Sequence, residues 1–506
     1  MRSIVLIALS LVIAAFAGVP RSKPNLEANR RLIEQMFTRR FTEPKKQAPA
    51  RDDSSTRPIS EHFFSTEVDH FNAQNTDQWT LRYFASADNY VQGGPILIFL
   101  GGTRPITPSM IDDTTLIYEM AREWNGALFA FEPRFYGESR VTEDLSTENL
   151  SLLSTDQILA DLAEFVTYVR RELVEDETAR VLVAGTELGG SLAAWFRIRY
   201  PHLGNAAWAS SAYMNAVLGF DDFSEAWGDS LIAHGSQECY NEIFVAFHVM
   251  QNLIDLGMAD LLFEKFNICS EIDPENTFQV QYFFSILMIS VEIYTIRNND
   301  LADFAEVCDD LTAGGTDSAV ESFANWFNEK WVEDLGCVVS DPAQAIEIFQ
   351  DPDWDSDFNQ QGARQWMYQE CTEFGWFFTT ESAFQPFGDR VSIDFYVEWC
   401  RQIFGDWITM ESVQRGINRA NNRFGGDNPG SSLTHFTNGD ADPWRMISIT
   451  RNLTLDAQAD IISNQLGGSD LSAMSPDDPA DLAEVKQRLK LTLASYLFPF
   501  SPYESP

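Results

Sequence analysis

The sequence predicts an α/β protein, a mostly parallel sheet interrupted by a helical, disulfide-stapled insertion. Three observations carry this. Short continuous apolar runs, "PILIFL" (95–100) and "ALFAF" (127–131) among them, alternate with helical stretches through the first 215 residues. Such runs are the pattern of strands covered on both faces by crossover helices. From about 216 to 420 the chain reads as almost wholly helical, and all six cysteines lie there. Strand-like segments then return at 433–444 and 459–464, with a closing helix near 478–497.

Taken in order, residues 1–17 read as a signal peptide. Arg2 precedes the apolar stretch Ile4–Ala14, and Ala15-Phe16-Ala17 supplies small residues for cleavage after Ala17 or Gly18. Residues 18–57 are rich in proline and charge and read as a flexible arm or propeptide. Residues 58–215 form the first part of the sheet domain: "WTLRYF" (79–84) alternates like a strand, a helix near 156–173 precedes the strand at 180–183, and "AAWAS" (206–210) is the next strand. Residues 216–420 form the insertion, with helical stretches such as "FFSILMISVEIYTI" and "FYVEWCRQIF", and residues 421–506 complete the sheet domain. No run after the leader reaches 18 uninterrupted apolar residues, so no membrane span is expected.

The chain carries 35 basic and 75 acidic residues, a formal charge of −40 spread along its length. Such a surface repels nucleic acid and anionic lipid, and neither is expected as a partner. On a secretory route the even set Cys239, Cys269, Cys308, Cys337, Cys371 and Cys400 predicts disulfides, with the pairing left open. No C-x-x-C spacing points to zinc, and neither metal nor cofactor is implied. Asn149 and Asn452 begin candidate glycosylation tripeptides.

The stretch "VLVAGTELGGSLAAWF" (181–196) reads as a buried strand, a glycine-framed turn and a small-residue helix. In hydrolases such a turn presents the nucleophile. Here its tip is Glu187.

Several segments are too specific for composition to explain: "VDHFN" (68–72), "GGPILIFLGG" (93–102), "EPRFYGES" (132–139), "DLSTENL" (144–150), "LAAWFRIRYPHL" (192–203), "WASSA" (208–212), "RQWMYQECTEFGWF" (364–377) and "TNGDADPW" (437–444). Together they resemble, in order from about 62 to 497, the family of lysosomal prolylcarboxypeptidase, dipeptidyl peptidase II and thymus-specific serine protease. The resemblance implies an α/β-hydrolase fold, a secreted or lysosomal protein, and cleavage beside proline or small residues by a Ser-Asp-His triad.

Carried over residue by residue, the triad is broken. The nucleophile of the pattern G-x-S-Y-x-G falls on Glu187, and the acid of N-G-x-x-D-P-W falls on Asp442. Aligning the late histidine loop with "GGSDLSAM" (467–474) puts Asp470 at the histidine position. The six histidines are His62, His70, His202, His234, His248 and His435, and none follows Asp442. Leu188, Ser191 and Trp444 are the expected substrate-lining positions. Ser191 sits about one helical turn beyond the elbow tip, which suits lining better than attack, and Ser210 and Ser211 have nothing nearby to activate them. His70 and His435 read as structural.

The expectation is a peptidase homologue without catalysis, binding peptide ligands or active relatives and able to form a homodimer. Two alternatives stand beside it: an active exopeptidase using an unrecognised arrangement, and a carboxylate or cation-binding site formed by Glu187, Asp442 and Asp470.

Overall fold

The computed structural model describes residues 59–498 except 87–88, 270–271, 297, 315–317, 333–336 and 339–340. The leader and arm expected over residues 1–57 lie outside the described residues.

Two compact units are present. The first gathers residues 59–216, 352–374 and 414–498, and the second residues 217–351 and 375–413. The first is built on an eight-stranded sheet: β1 (Ser60–Glu67), β2 (Gln78–Ser86), β3 (Ile96–Leu100), β4 (Ala127–Phe131), β5 (Val181–Thr186), β6 (Ala206–Ser210), β7 (Thr434–Gly439) and β8 (Ala457–Ile462). Their spatial order is β1-β2-β4-β3-β5-β6-β7-β8. β2 runs antiparallel to both β1 and β4, and every other pairing is parallel. This is the α/β-hydrolase architecture that the sequence predicts.

The burial of each strand explains its composition. β3, β4 and β6 are buried at every position, as continuous apolar runs require. The edge strand β1 is exposed along most of its length. Helices α1 (Leu116–Glu123), α2 (Thr155–Tyr168), α3 (Leu188–Arg199) and α4 (Ala480–Leu497) belong to this unit. Thr115 and Ser154 cap α1 and α2, each accepting a backbone N–H of its helix's first turn. α4 lays Leu489 and Leu493 into the core that holds Leu182, Ala206 and Trp208.

Polar side chains tie the loops of this unit. Fully buried Arg134 reaches Asp161 of α2 at 2.6 and 2.7 Å and donates to the carbonyls of Glu67, Val68 and Leu152. Glu132 accepts two N–H bonds from Arg82 and one from the backbone of Ile106. Much of "EPRFYGES" is therefore scaffold.

The segment 352–374 packs into the sheet unit. Trp354 donates to the Thr142 carbonyl at 3.1 Å, and Gln365 donates to that of Phe135 at 3.0 Å. Trp195 of α3 stacks on both Phe374 and Phe424.

The second unit is helical, with Asp221–His234, Gln237–Asp255 and Thr277–Ile296 its longest helices. Its core is aromatic: Phe223 stacks on Phe378, Phe247 meets Phe284 and Phe323, and Tyr282 stacks on Trp399. Disulfides join Cys239 to Cys308 and Cys269 to Cys337. Cys371 and Cys400 are also disulfide-bonded, so the six cysteines are oxidised as expected. Helix Thr277–Ile296 is long and apolar enough to cross a membrane, yet 78% of its apolar window is buried within the fold. That burial is the signature of a core helix.

Candidate active site

Strand register collects the site. Thr186 at the end of β5 lies opposite Ser210 of β6, which lies opposite Thr437 of β7. Residues that follow these carboxyl ends therefore converge, as they do in open parallel sheets. Among them are Glu187, Ser211 and Asp442.

Glu187 holds φ 54° and ψ −126° between β5 and α3, a conformation strained for any residue with a side chain. The turn is locked by Glu187 N–H donating to the Ser210 carbonyl at 3.0 Å. It is possible only because glycines flank it. A Cβ on Gly185 would lie 2.4 Å from the Gly189 carbonyl carbon, and one on Gly189 would lie 2.4 Å from the Leu100 oxygen. The Glu187 side chain is 43% exposed, beside α3's N-terminus, where its charge is favoured. Arg104 approaches it at 3.8 Å, and Arg104 Nη1 is buried without a hydrogen-bond partner.

Asp442 is buried at the start of the short helical turn Pro443–Ile447, where its carboxylate accepts Trp444 N–H at 3.0 Å. Burial pushes its pKa up to about 7; the Glu187 charge adds to the rise, while the Trp444 N–H, Arg445 and the Ser211 hydroxyl oppose it. The Glu187 charge thus acts on the Asp442 carboxyl, as one acid does on another nearby.

Asp470 is elsewhere. Its buried carboxylate accepts from Ser210 Oγ at 2.6 Å, from Trp208 Nε1 at 3.2 Å and from Thr437 Oγ1. Those three donors draw it inward among β6 and β7. The backbone facing Asp442 is that of Gly467, where an added Cβ would lie 2.7 Å from Asp442 Oδ2 and 3.2 Å from Ser211 Oγ. Gly468 N–H donates to the Ser211 hydroxyl at 3.1 Å. The sequence expectation puts Asp470 at the histidine position; in the structure its carboxylate is engaged by Trp208, Ser210 and Thr437, and the backbone beside Asp442 is that of Gly467.

The expected lining residues divide. Leu188 is buried, and what it can offer a ligand is its N–H at the first helical position, where the helix supplies no acceptor. Ser191 is fully buried; its Oγ lies 3.0 Å from the Glu187 carbonyl and 2.9 Å from that of Tyr213, and it accepts Tyr213 N–H at 2.9 Å. This hydroxyl is structural. Trp444 is half-buried and stacks on Tyr213 with ring centroids 4.0 Å apart. His435 is fully buried and bonds Asp460 at 2.9 Å, and Asp460 also holds Arg488. Arg104 and Gly467 were not singled out from the sequence. A lone arginine after a strand carries no signal, and a glycine's role as a gap is visible only against its neighbours.

Asn149 spends its side-chain amide on Asp144, whereas Asn452 is exposed.

The sheet defines the class: an α/β-hydrolase, with Glu187 at the strained turn between β5 and α3. The profile of the serine carboxypeptidase S28 family matches residues 66–489, and the chain belongs to that family. It is 28% identical over 441 residues to thymus-specific serine protease of Mus musculus, covering 85% of this chain and 86% of that one. It is 24% identical over 481 residues to lysosomal Pro-X carboxypeptidase of Mus musculus, covering 89% and 92%. Among solved structures, it is similar to peroxisomal alpha-beta-hydrolase Lpx1 from Saccharomyces cerevisiae, with TM-score 0.36 and 10% identity over 89% of this chain and 93% of that one.

Proposed function

We propose that this protein is a non-hydrolysing member of its serine exopeptidase-type family, routed through the secretory pathway and acting by binding peptides or active relatives. The observation that carries the reading is Glu187 on an intact, strained elbow. A turn kept in this costly geometry without a hydroxyl retains the presentation of a side chain to ligand and loses acyl transfer. The base is missing as well, since no histidine follows Asp442 and glycines border it. Losing either triad member costs about 10⁴–10⁶ in rate. Ser191, the rival nucleophile, has its hydroxyl committed to backbone groups, which argues against an active exopeptidase working through it.

Ligand recognition in this reading uses the exposed Glu187 carboxylate for a peptide amine, the partly exposed Arg104 guanidinium for a carboxylate and the Trp444–Tyr213 ring pair for an apolar side chain. The six oxidised cysteines and the lysosomal relative support the secretory route.

The test is incubation of the purified protein with prolyl peptides and a fluorophosphonate probe from pH 4.5 to 8. No turnover and no labelling, together with saturable binding of the same peptides that Glu187→Ala weakens, is the expected result. Turnover, or labelling at Ser191, overturns the reading.

The coupled rise of Asp442 beside Glu187 favours one secondary reading, a cation held by this pair. Calorimetry with Ca²⁺ and Mg²⁺ that gives no heat removes it.

A further inference from the structure

We propose that Glu67, His70 and Glu164 form a binding site for one divalent transition-metal ion of the Zn²⁺ or Mn²⁺ kind, clipping the end of β1 to α2. The sequence reading took His70 of "VDHFN" as structural; its surroundings ask for more. The His70 side chain is only 7% exposed, and its Nε2 lies 2.7 Å from Oδ1 of fully buried Asp161. Arg134 already holds that carboxylate from the other side. A carboxylate only accepts there, so Nε2 carries the proton, and in the neutral ring Nδ1 presents its lone pair. This carboxylate–histidine arrangement is the one that orients imidazole toward metal.

Nδ1 points at Glu164 Oε1, 3.8 Å away, and at Glu67 Oε2, 4.0 Å away. Both separations exceed hydrogen-bond reach, and the three ligand atoms all lie within 4.8 Å of one another. Donors bound tetrahedrally to one ion at about 2.0–2.2 Å stand about 3.4 Å apart, so rotation of the two half-exposed glutamates inward closes the set. Thr66 Oγ1 donates to the other oxygen of Glu164 at 2.6 Å and leaves Oε1 for the site.

Charge points the same way. Arg134 balances Asp161, which leaves Glu67 and Glu164 as two negative charges facing the His70 ring. A divalent ion cancels both. One nitrogen and two carboxylate oxygens suit a borderline transition ion better than Ca²⁺, which takes six to eight oxygens. An open hollow of about 560 Å³, lined by Glu67, His70, Asn72, Asn75 and Gln78 among others, admits water to the remaining positions.

Untagged protein, stripped with chelator and dialysed, is titrated with ZnCl₂ and MnCl₂ in a calorimeter and followed by thermal melts. One ion per chain and a rise in melting temperature are expected. The Glu67→Gln/Glu164→Gln variant changes side chains that are 50% and 43% exposed, so folding, checked by circular dichroism, is retained. It is expected to weaken binding at least about tenfold, while Glu484→Gln, at a 72% exposed acid of α4, leaves binding unchanged. Absence of heat and of a melting shift with both ions overturns the proposal, as does undiminished binding in the double variant.

Discussion

Asp442 shows how a single carboxyl reports the fate of a catalytic centre. An unfolded aspartate titrates near about 3.9, whereas this one is pushed up to about 7 in the folded chain. Between those values the folded protein keeps a proton that the unfolded chain has released. Its contribution is therefore most favourable at low pH and is lost as pH rises through the window. The full penalty at pH 8 is at most about 4 kcal/mol, at 1.36 kcal/mol per unit. Asp442→Asn should thus stabilise the protein clearly at pH 8 and hardly at pH 4, measured by urea midpoints. Equal gains at both pH values would contradict a raised carboxyl. Glu187→Ser returns a hydroxyl to the elbow but no base, so hydrolysis of prolyl peptides should stay at background. The places of Glu187 at the strand-to-helix turn and of Asp442 after β7 were legible in the sequence because each sits in a framed motif. The surroundings of Asp470 were not, because loop spacing cannot see that Trp208, Ser210 and Thr437 compete for a carboxylate.

At the scale of elements, the elbow survives because strand and helix meet at van der Waals distance through glycine. Gly189→Ala would drive a methyl to 2.4 Å from the Leu100 carbonyl, an oxygen fixed in the sheet. Overpacking of this kind should cost about 1–3 kcal/mol or more, seen as a lowered denaturation midpoint. Gly430→Ala, with nothing within 4 Å of the added carbon, serves as the control and should change the midpoint little. The strands β3, β4, β5 and β6 could be read from sequence, since continuous apolar runs between helical stretches have few other uses. The edge strand β1 could not, because it is exposed along most of its length and shows no burial pattern to detect. The segment 352–374 was read into the insertion from its helical character. Its place in the sheet unit rests on Trp354 and Gln365 bonding to carbonyls more than 200 residues away in sequence.

At the scale of the whole chain, two features set stability: the disulfides and the charge. Cys239–Cys308 and Cys269–Cys337 close loops with sequence separations of 69 and 68. Each restricts the unfolded chain by about 4 kcal/mol in the loop-entropy estimate. Reduction should accordingly lower the melting temperature markedly, and a melt unchanged by reductant would show that the bridges do not form. A net charge of −40 opposes compaction at neutral pH. The sequence by itself determined the sheet, the cysteine-rich helical region and the family, because these reside in local pattern and residue identity. Tertiary structure alone decided that Gly467 borders Asp442, that Asp470 is turned inward, that Ser191 is engaged and that His70 faces two carboxylates. Those facts depend on which groups compete for one another across distant strands, and no one-dimensional spacing encodes that competition.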